Sequence, residues 1–414
     1  MKKHTPSLQT RFAITTLGCK VNQFEGASLA QQLLEHGYQQ TAFNSPADIY
    51  IINSCTVTSR SDRDTRRLVR RAHRINPTAT IIVTGCYAQV APQELAALPE
   101  VSQVIGNLDK QTFLELIQSG RSQVTPYGEN TNDSPLPLTS YSDQTRAFLQ
   151  IQNGCDAGCS YCIVPTARGK SRSVPYGPLV KTANDLVASG HRELVLTGIH
   201  IGAYGLDLTP ISSLEELLKA LLRDCSVERI RLGSLEPTEL SNEILLAMAS
   251  EPRLCKHLHI PLQSGSDRIL SSMGRHYNRT FYGERIMKAH QKMPDAYIAA
   301  DIIVGYPGET AQDFQDSMDL IQNLPICDLH VFPYSRRPGT QADLLPGHLA
   351  PDTIRGRVEQ AQALRHEKHQ AFLRGFIGKK LSVLGNRRLS DDGTLLGLSD
   401  NYISVQYPAT NMAC

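Results

Sequence analysis

Cys155-Asp156-Ala157-Gly158-Cys159-Ser160-Tyr161-Cys162 sets three thiols at C-x3-C-x2-C, directly after the apolar run Phe148-Leu149-Gln150-Ile151. Thiolates are soft ligands that suit zinc or iron–sulfur centres. A structural zinc site takes four ligands, commonly as paired C-x2-C units, and no fourth Cys or His adjoins this stretch. Three thiolates on a 4Fe–4S cluster leave one iron without a protein ligand, free to hold a substrate or cofactor. An open iron–sulfur site is therefore expected, placed at the end of a strand.

Working outward, residues 146–376 hold six strand candidates separated by helical patterns: 147–152, 193–197, 229–233, 257–262, 298–304 and 329–333. Six β/α units exceed a simple nucleotide-binding half and fall short of a closed eightfold barrel. A partial (β/α)6 barrel is the expected architecture, with its site at the carboxyl ends of the strands. Polar or glycine-bearing segments end three of them: Ser234-Leu235-Glu236, Gln263-Ser264-Gly265 and Gly305-Tyr306-Pro307. Ser234, Glu236, Gln263 and Gly305 are the candidate cofactor contacts. Thr310-x-x-Asp313 reads as a helix cap. His257 and His259 alternate on a strand and share a face; a hydrogen-bonded role suits them better than a metal.

Upstream, residues 1–120 alternate short apolar runs (12–17, 48–52, 80–84, 101–105) with helices expected at 25–35, 61–74, 94–98 and 110–118. That alternation predicts right-handed crossovers and a small doubly wound parallel sheet. Cys19, Cys55 and Cys86 each follow the end of a strand, and a parallel sheet brings those ends to one edge. Three cysteines in one topological position point to a second cluster rather than to three space-filling thiols. Cys225, Cys255, Cys327 and Cys414 lack ligand spacing and read as ordinary thiols. Residues 121–145, polar with Pro126, Pro135 and Pro137, look like a linker. After a charged helix near 352–372, residues 377–414 turn to short β-like pieces with a turn at Asp391-Asp392-Gly393.

The chain carries 42 basic and 40 acidic residues among 414, so any nucleic-acid site must be a local patch. Arg63, Arg67 and Arg70 on the Arg-rich helix form one such patch, and Arg168, Lys170 and Arg172 beyond the cysteine loop form another. Ten cysteines in this length do not make a disulfide scaffold. The polar start Met1 to Phe12 lacks the apolar core of a signal peptide, and no run reaches the roughly 18 apolar residues of a membrane span. A reducing cytoplasm is the expected setting.

Taken together, these motifs resemble the radical SAM methylthiotransferases over nearly the whole chain. That family has a three-cysteine N-terminal domain, a radical SAM partial barrel and a C-terminal TRAM barrel. Gly18-Cys19-Lys20-Val21-Asn22-Gln23-Phe24-Glu25 is similar to the branch acting on threonylcarbamoyladenosine in tRNA; the isopentenyladenosine branch usually carries Gln-Met-Asn after its first cysteine. Thr84-Gly85-Cys86-Tyr87-Ala88-Gln89 and Thr197-Gly198-Ile199-His200-Ile201-Gly202 agree with that branch. The resemblance implies two 4Fe–4S clusters and S-adenosylmethionine, which chelates the open iron beside Cys155, Cys159 and Cys162 and yields the radical that abstracts hydrogen from C2 of the nucleoside. The cluster at Cys19, Cys55 and Cys86 would carry the sulfur. Tyr161 resembles the family's position beside the cofactor adenine. The anticodon stem-loop of tRNA, a low-potential electron donor and a sulfur source are the implied partners. The C-terminal module resembles TRAM, an RNA-binding domain, and stops before the final strands expected of it. Two other readings are a methylthiotransferase for isopentenyladenosine or a ribosomal-protein aspartate, and a non-catalytic iron–sulfur protein that binds RNA or carries electrons. The two cysteine triads are expected to face one cavity.

Overall fold

The computed structural model describes residues 10–128, 135–141, 145–389 and 393–408, the side chains of 386–389 excepted. Asp391, Asp392 and Cys414 lie outside the described residues. Five parallel strands open the chain: β1 (Arg11–Thr16), β2 (Gln39–Gln40), β3 (Ile49–Ser54), β4 (Thr80–Gly85) and β5 (Gln103–Val104). Their order is β2-β1-β3-β4-β5, a doubly wound arrangement whose direction reverses between β1 and β3. Every residue of β3 is buried, as a central parallel strand covered on both faces requires. Phe12, Ile51 and Ile82 join the core beneath the helices Lys20–Glu35 and Phe113–Ser119. Ala13, Tyr50, Ile52 and Val83 pack under the Arg-rich helix Ser59–Ile75 through Val69 and Ala72.

Two details differ from the sequence expectation. β2 is a pair of exposed glutamines and carries no apolar signal. The first helix starts at Lys20, not Glu25, with Cys19 as its N-cap, so Lys20, Asn22 and Glu25 are helical residues next to a cluster cysteine.

The second region strings β6 (Arg146–Gln150), β9 (Glu193–Thr197), β10 (Arg229–Leu232), β11 (His257–His259), β12 (Tyr297–Val304) and β13 (Asp328–Pro333) into one parallel series. β10 and β11 meet through bridges at Ile230–Leu254 and Ser234–His259. A short antiparallel hairpin, β7 (Gln152–Asn153) with β8 (Arg172–Ser173), flanks the cysteine loop. Side-chain alternation sorts the strands cleanly. Leu149, Leu194, Leu196, Ile230, Leu232, Leu258, Ile298, Ala300, Ile302 and Leu329 enter the core under the helices. Arg146, Glu193, Arg231, His257, His259, Asp301 and His330 occupy the opposite, concave face. The result is a partial (β/α)6 barrel with a charged lumen.

β14 (Val383–Leu389), β15 (Thr394–Ser399) and β16 (Ser404–Pro408) form an antiparallel sheet. It is fastened to the barrel by Arg231, which donates to the carbonyls of Asp400 (2.9 Å) and Ser399 (3.1 Å). The first unit touches the barrel at both of its edge strands. The helix Lys20–Glu35 packs on β6, and Ser59 and Asp62 bond Ser335 and Arg337 just past β13. The doubly wound unit therefore spans the open side of the barrel. Residues 121–128 and 135–141, expected as a linker, have no regular structure but are packed: Leu136, Leu138 and Tyr141 are buried in the shared core.

Candidate active site

Cys155, Cys159 and Cys162 lie close enough for their charges to act on one another, and burial pushes the Cys162 thiol up to about 12. The loop is held from several directions. Ser160 donates to the Ser272 carbonyl (2.9 Å) and bonds the Tyr306 hydroxyl (2.8 Å), and the Cys162 amide closes a turn on Cys159 (3.1 Å). His200 places Nδ1 3.6 Å from Cys155 Sγ while its Nε2 bonds Glu239 (2.5 Å). The sulfur contact first, then Glu239, raises the His200 pKa to about 10. Arg275 donates to Cys159 Sγ (3.2 Å) and pairs with Glu236. Tyr161 packs beside Ile269, Met273 and Tyr306. A cavity of about 430 Å³ adjoins the loop, lined by Asp156, Cys159, His200, Glu236, Glu239 and Arg275 among others.

The second triad sits at the carboxyl edge of the doubly wound sheet. Gly18 (φ +93) and Gly85 (φ +92) precede Cys19 and Cys86, in a backbone region that glycine adopts without strain. A Cβ on Gly85 would lie 2.4 Å from the Ser54 carbonyl, and one on Gly18 would lie 2.9 Å from Cys55 Sγ. Only glycine lets these two turns close. Burial and the neighbouring Cys86 push Cys55 up to about 11. Cys19 retains accessible surface although protein surrounds it, the behaviour of a side chain lining a cavity.

Buried polar groups join the triads. Asn22 donates to the carbonyls of Leu17 (2.8 Å) and Ser54 (2.9 Å) and accepts from Arg168. Glu25 accepts from Arg168 (2.7 Å) and Lys110 (2.5 Å). Burial alone would raise the Glu25 pKa, but the two cations win and hold it at about 2. Arg168 also donates to Asn153 (3.0 Å), two residues before Cys155, and so ties the helix beside Cys19 to the start of the barrel's cysteine loop.

Residues 11–106 match the family described as uncharacterized protein family UPF0004, and residues 149–321 match the radical SAM superfamily. A Bacillus subtilis protein named threonylcarbamoyladenosine tRNA methylthiotransferase MtaB is 36% identical over 407 residues, covering 96% of this chain and 90% of that one. An Aquifex aeolicus protein of the same name is 37% identical, covering 96% of each chain. The chain belongs to the radical SAM methylthiotransferase family. A Sphingopyxis alaskensis member named tRNA-2-methylthio-N(6)-dimethylallyladenosine synthase is 32% identical over 426 residues, covering 100% of this chain and 94% of that one. Among solved structures, the radical S-adenosylmethionine methyltransferase TsrM from Kitasatospora setae aligns with TM-score 0.59 at 14% identity, covering 82% of this chain and 77% of that one. That likeness is one of fold.

Both triads suit the clusters this methylthiotransferase family implies. No sulfur of either is in a disulfide. Each triad has an arginine close by, Arg168 near Cys19 and Cys86 and Arg275 near Cys159, able to balance the net negative charge of a thiolate-bound cluster.

The remaining sequence candidates sort by contact. Ser234 faces the lumen and bonds His259 Nδ1. Glu236 reaches the cysteine loop through Arg275. Gln263 is buried with φ +65, an uncommon conformation for a non-glycine residue. Gly305 has a packing explanation: its amide is spent on Glu309 (2.8 Å), and a Cβ would meet Ile354 at 2.6 Å. Arg168 is not available to RNA. Only 1% of its side chain is exposed, and its two terminal nitrogens bond Glu25, Asn22 and Asn153. Arg172 lies over the Tyr127 ring and donates to the carbonyls of Lys170 and Arg168. Lys170, Arg63, Arg67 and Arg70 are exposed. Cys225, Cys255 and Cys327 are buried free thiols. Sequence reasoning missed Asn22, Glu25, Lys110, His200 and Arg275. Asn22, Glu25 and His200 were visible only as letters inside motifs.

Proposed function

We propose that the protein installs a methylthio group at C2 of N6-threonylcarbamoyladenosine beside the anticodon of tRNA. The similarity that carries this reading is near full-length identity of 35–37% to relatives named for that reaction. Two separate cysteine triads, tied together through Arg168, fit it, because one nucleoside must meet both a radical source and a sulfur source.

When bound, two 4Fe–4S clusters and S-adenosylmethionine supply the radical that removes the C2 hydrogen and the methylthio group that replaces it. Cys155, Cys159 and Cys162 would hold one cluster, and Cys19, Cys55 and Cys86 the other. His200 and Arg275 set positive charge against the first set of sulfurs, and Arg168 does so against the second. The Glu25–Arg168–Lys110 network fixes the two units at one spacing, which a substrate reached from both sides demands. Tyr161, Ser234, Glu236 and Gln263 border the same end of the barrel and are the proposed cofactor contacts. The exposed Arg63, Arg67 and Arg70 and Lys170 are the proposed phosphate contacts. A reductant of low potential and a sulfur source complete the reaction. Among the described residues no helix is long and apolar enough to cross a membrane.

Mass spectrometry of tRNA nucleosides from a deletion strain tests the reading. Methylthio-threonylcarbamoyladenosine should vanish, return with the wild-type gene and stay absent with Cys155→Ala. Its persistence in the deletion strain would refute the assignment, and loss of methylthio-isopentenyladenosine instead would move the protein to the sister branch.

A further inference from the structure

β11, β12 and β13 bring three ligand-type side chains together on the concave face: His259, Asp301 and His330. The strands are laddered, with His259 beside Ala299 and Asp301 beside His330, so the sheet register sets the grouping. His259 Nε2 donates to Asp301 Oδ1 (2.6 Å) and His330 Nδ1 donates to the same oxygen (2.9 Å). The three ligand atoms lie within 4.8 Å of one another. Side-chain exposure rises across the group, from 13% at His259 and 17% at Asp301 to 47% at His330, so an ion can enter from the His330 side. Strand alternation groups His259 with His257, but the register adds Asp301 and His330 from two other strands.

The partners of Asp301 set it apart. Other enclosed carboxylates are matched by a guanidinium: Glu25 by Arg168, Asp62 by Arg337, Glu193 by Arg231 and Glu309 by Arg357. Asp301 is matched by two imidazoles, and no Lys or Arg forms an ion pair with it among the described residues. A guanidinium has no lone pair to give a metal, whereas an imidazole has one. A neutral imidazole takes up a cation by moving its proton to the far ring nitrogen. On His259 that nitrogen already bonds the Ser234 hydroxyl, the kind of outer partner that fixes the tautomer and ring of a metal-bound histidine. His330 is half exposed, so water can accept from its far nitrogen. A tetrahedral ion with bonds of about 2.1 Å needs about 3.4 Å between ligand atoms. Each hydrogen-bonded contact therefore has to open by less than about 1 Å, which side-chain rotation on three rigid strands can supply.

We propose that His259, Asp301 and His330 form a binding site for one divalent first-row transition-metal ion of the Zn2+ type, separate from both cysteine triads. Two imidazoles and one carboxylate suit such an ion and disfavour Mg2+ and Ca2+, which take oxygen ligands. Three protein ligands leave at least one coordination position open, for water or an oxygen donor of a bound molecule. The inference does not depend on which nucleoside the protein modifies.

Zinc uptake by the anaerobically reconstituted protein tests the site. Equilibrium dialysis against Zn2+ followed by elemental analysis should give one zinc per chain with the iron content unchanged, and excess Mg2+ should not displace it. X-ray absorption at the zinc edge should show nitrogen and oxygen neighbours at about 2.0–2.1 Å and no sulfur at about 2.3 Å, which separates this site from zinc on the cysteines. His330→Gln, at the most exposed of the three positions, should weaken zinc binding by at least about a hundredfold, and Ser234→Ala by about ten- to a hundredfold. Iron content and circular dichroism establish that each variant is folded, and the zinc-edge spectrum of wild type decides the matter should a variant fail to fold. A wild type that binds no zinc, zinc with sulfur neighbours, or zinc held equally well by His330→Gln overturns the inference. Metal content is the only readout, so these outcomes are distinct from any failure of the tRNA assignment.

Discussion

Glu25→Gln removes the carboxylate shared by two buried cations, Lys110 and Arg168, whose side chains are 2% and 1% exposed. Glutamine keeps the shape and loses the charge, leaving both cations uncompensated in a dry interface. The ordinary carboxyl value of 4.5 falls to about 2 here, and the difference corresponds to about 3 kcal/mol of stabilisation at neutral pH. Breaking a buried ion pair by removing one partner costs about 3–5 kcal/mol in general, so the two routes agree. Because the folded value lies below the unfolded one, the contribution is complete above pH 4.5 and is lost as pH falls through about 2. Anaerobic urea titration followed by circular dichroism should show the loss at pH 7. A double-mutant cycle of Glu25→Gln with Arg168→Met should return a coupling of about 2 kcal/mol or more. A cost below about 1 kcal/mol with no coupling would refute the network as the tie between the two units.

Three further outcomes follow from the geometry. Gly85→Ala forces a φ of +92 on alanine and a Cβ against the Ser54 carbonyl, so the purified protein should lose about half of its iron while Cys155, Cys159 and Cys162 retain theirs; full iron content would contradict the placement of Cys86. Arg231→Met removes a buried arginine bonded to Glu193, Ser399 and Asp400. Stability should fall by about 3–5 kcal/mol, and limited proteolysis should cut near residue 380 faster than in wild type. Arg67→Gln combined with Arg70→Gln should weaken tRNA binding uniformly across tRNA species and lower the slope of log affinity against log salt by about 2; an unchanged slope would remove that helix from the RNA surface.

The parts of the site that share a topological position could be read from the chain. Cys19, Cys55 and Cys86 each end a strand of one parallel sheet, so their convergence followed from topology alone. The barrel strands were legible because their helix-facing residues are apolar and regularly spaced. The charged interior was not. Arg168 looks like a surface residue until Glu25, 143 positions away, is seen beside it, and no local pattern encodes that pairing. Lys20 and Asn22 were hidden by a helix start placed five residues too late, since a cysteine N-cap without a side-chain bond gives none of the usual capping signals. His200 and Arg275 act on sulfurs contributed by another loop, a relation that only the fold creates.

The account turns on one nucleoside being served by both triads. Incubating the reduced, reconstituted enzyme with S-adenosylmethionine and a stem-loop carrying C2-deuterated N6-threonylcarbamoyladenosine tests this directly. Deuterium should appear in 5′-deoxyadenosine from wild type together with methylthio product. The Cys19→Ala variant should still cleave S-adenosylmethionine but yield no methylthio product. 5′-Deoxyadenosine free of deuterium, or methylthio product from Cys19→Ala at the wild-type rate, would contradict it.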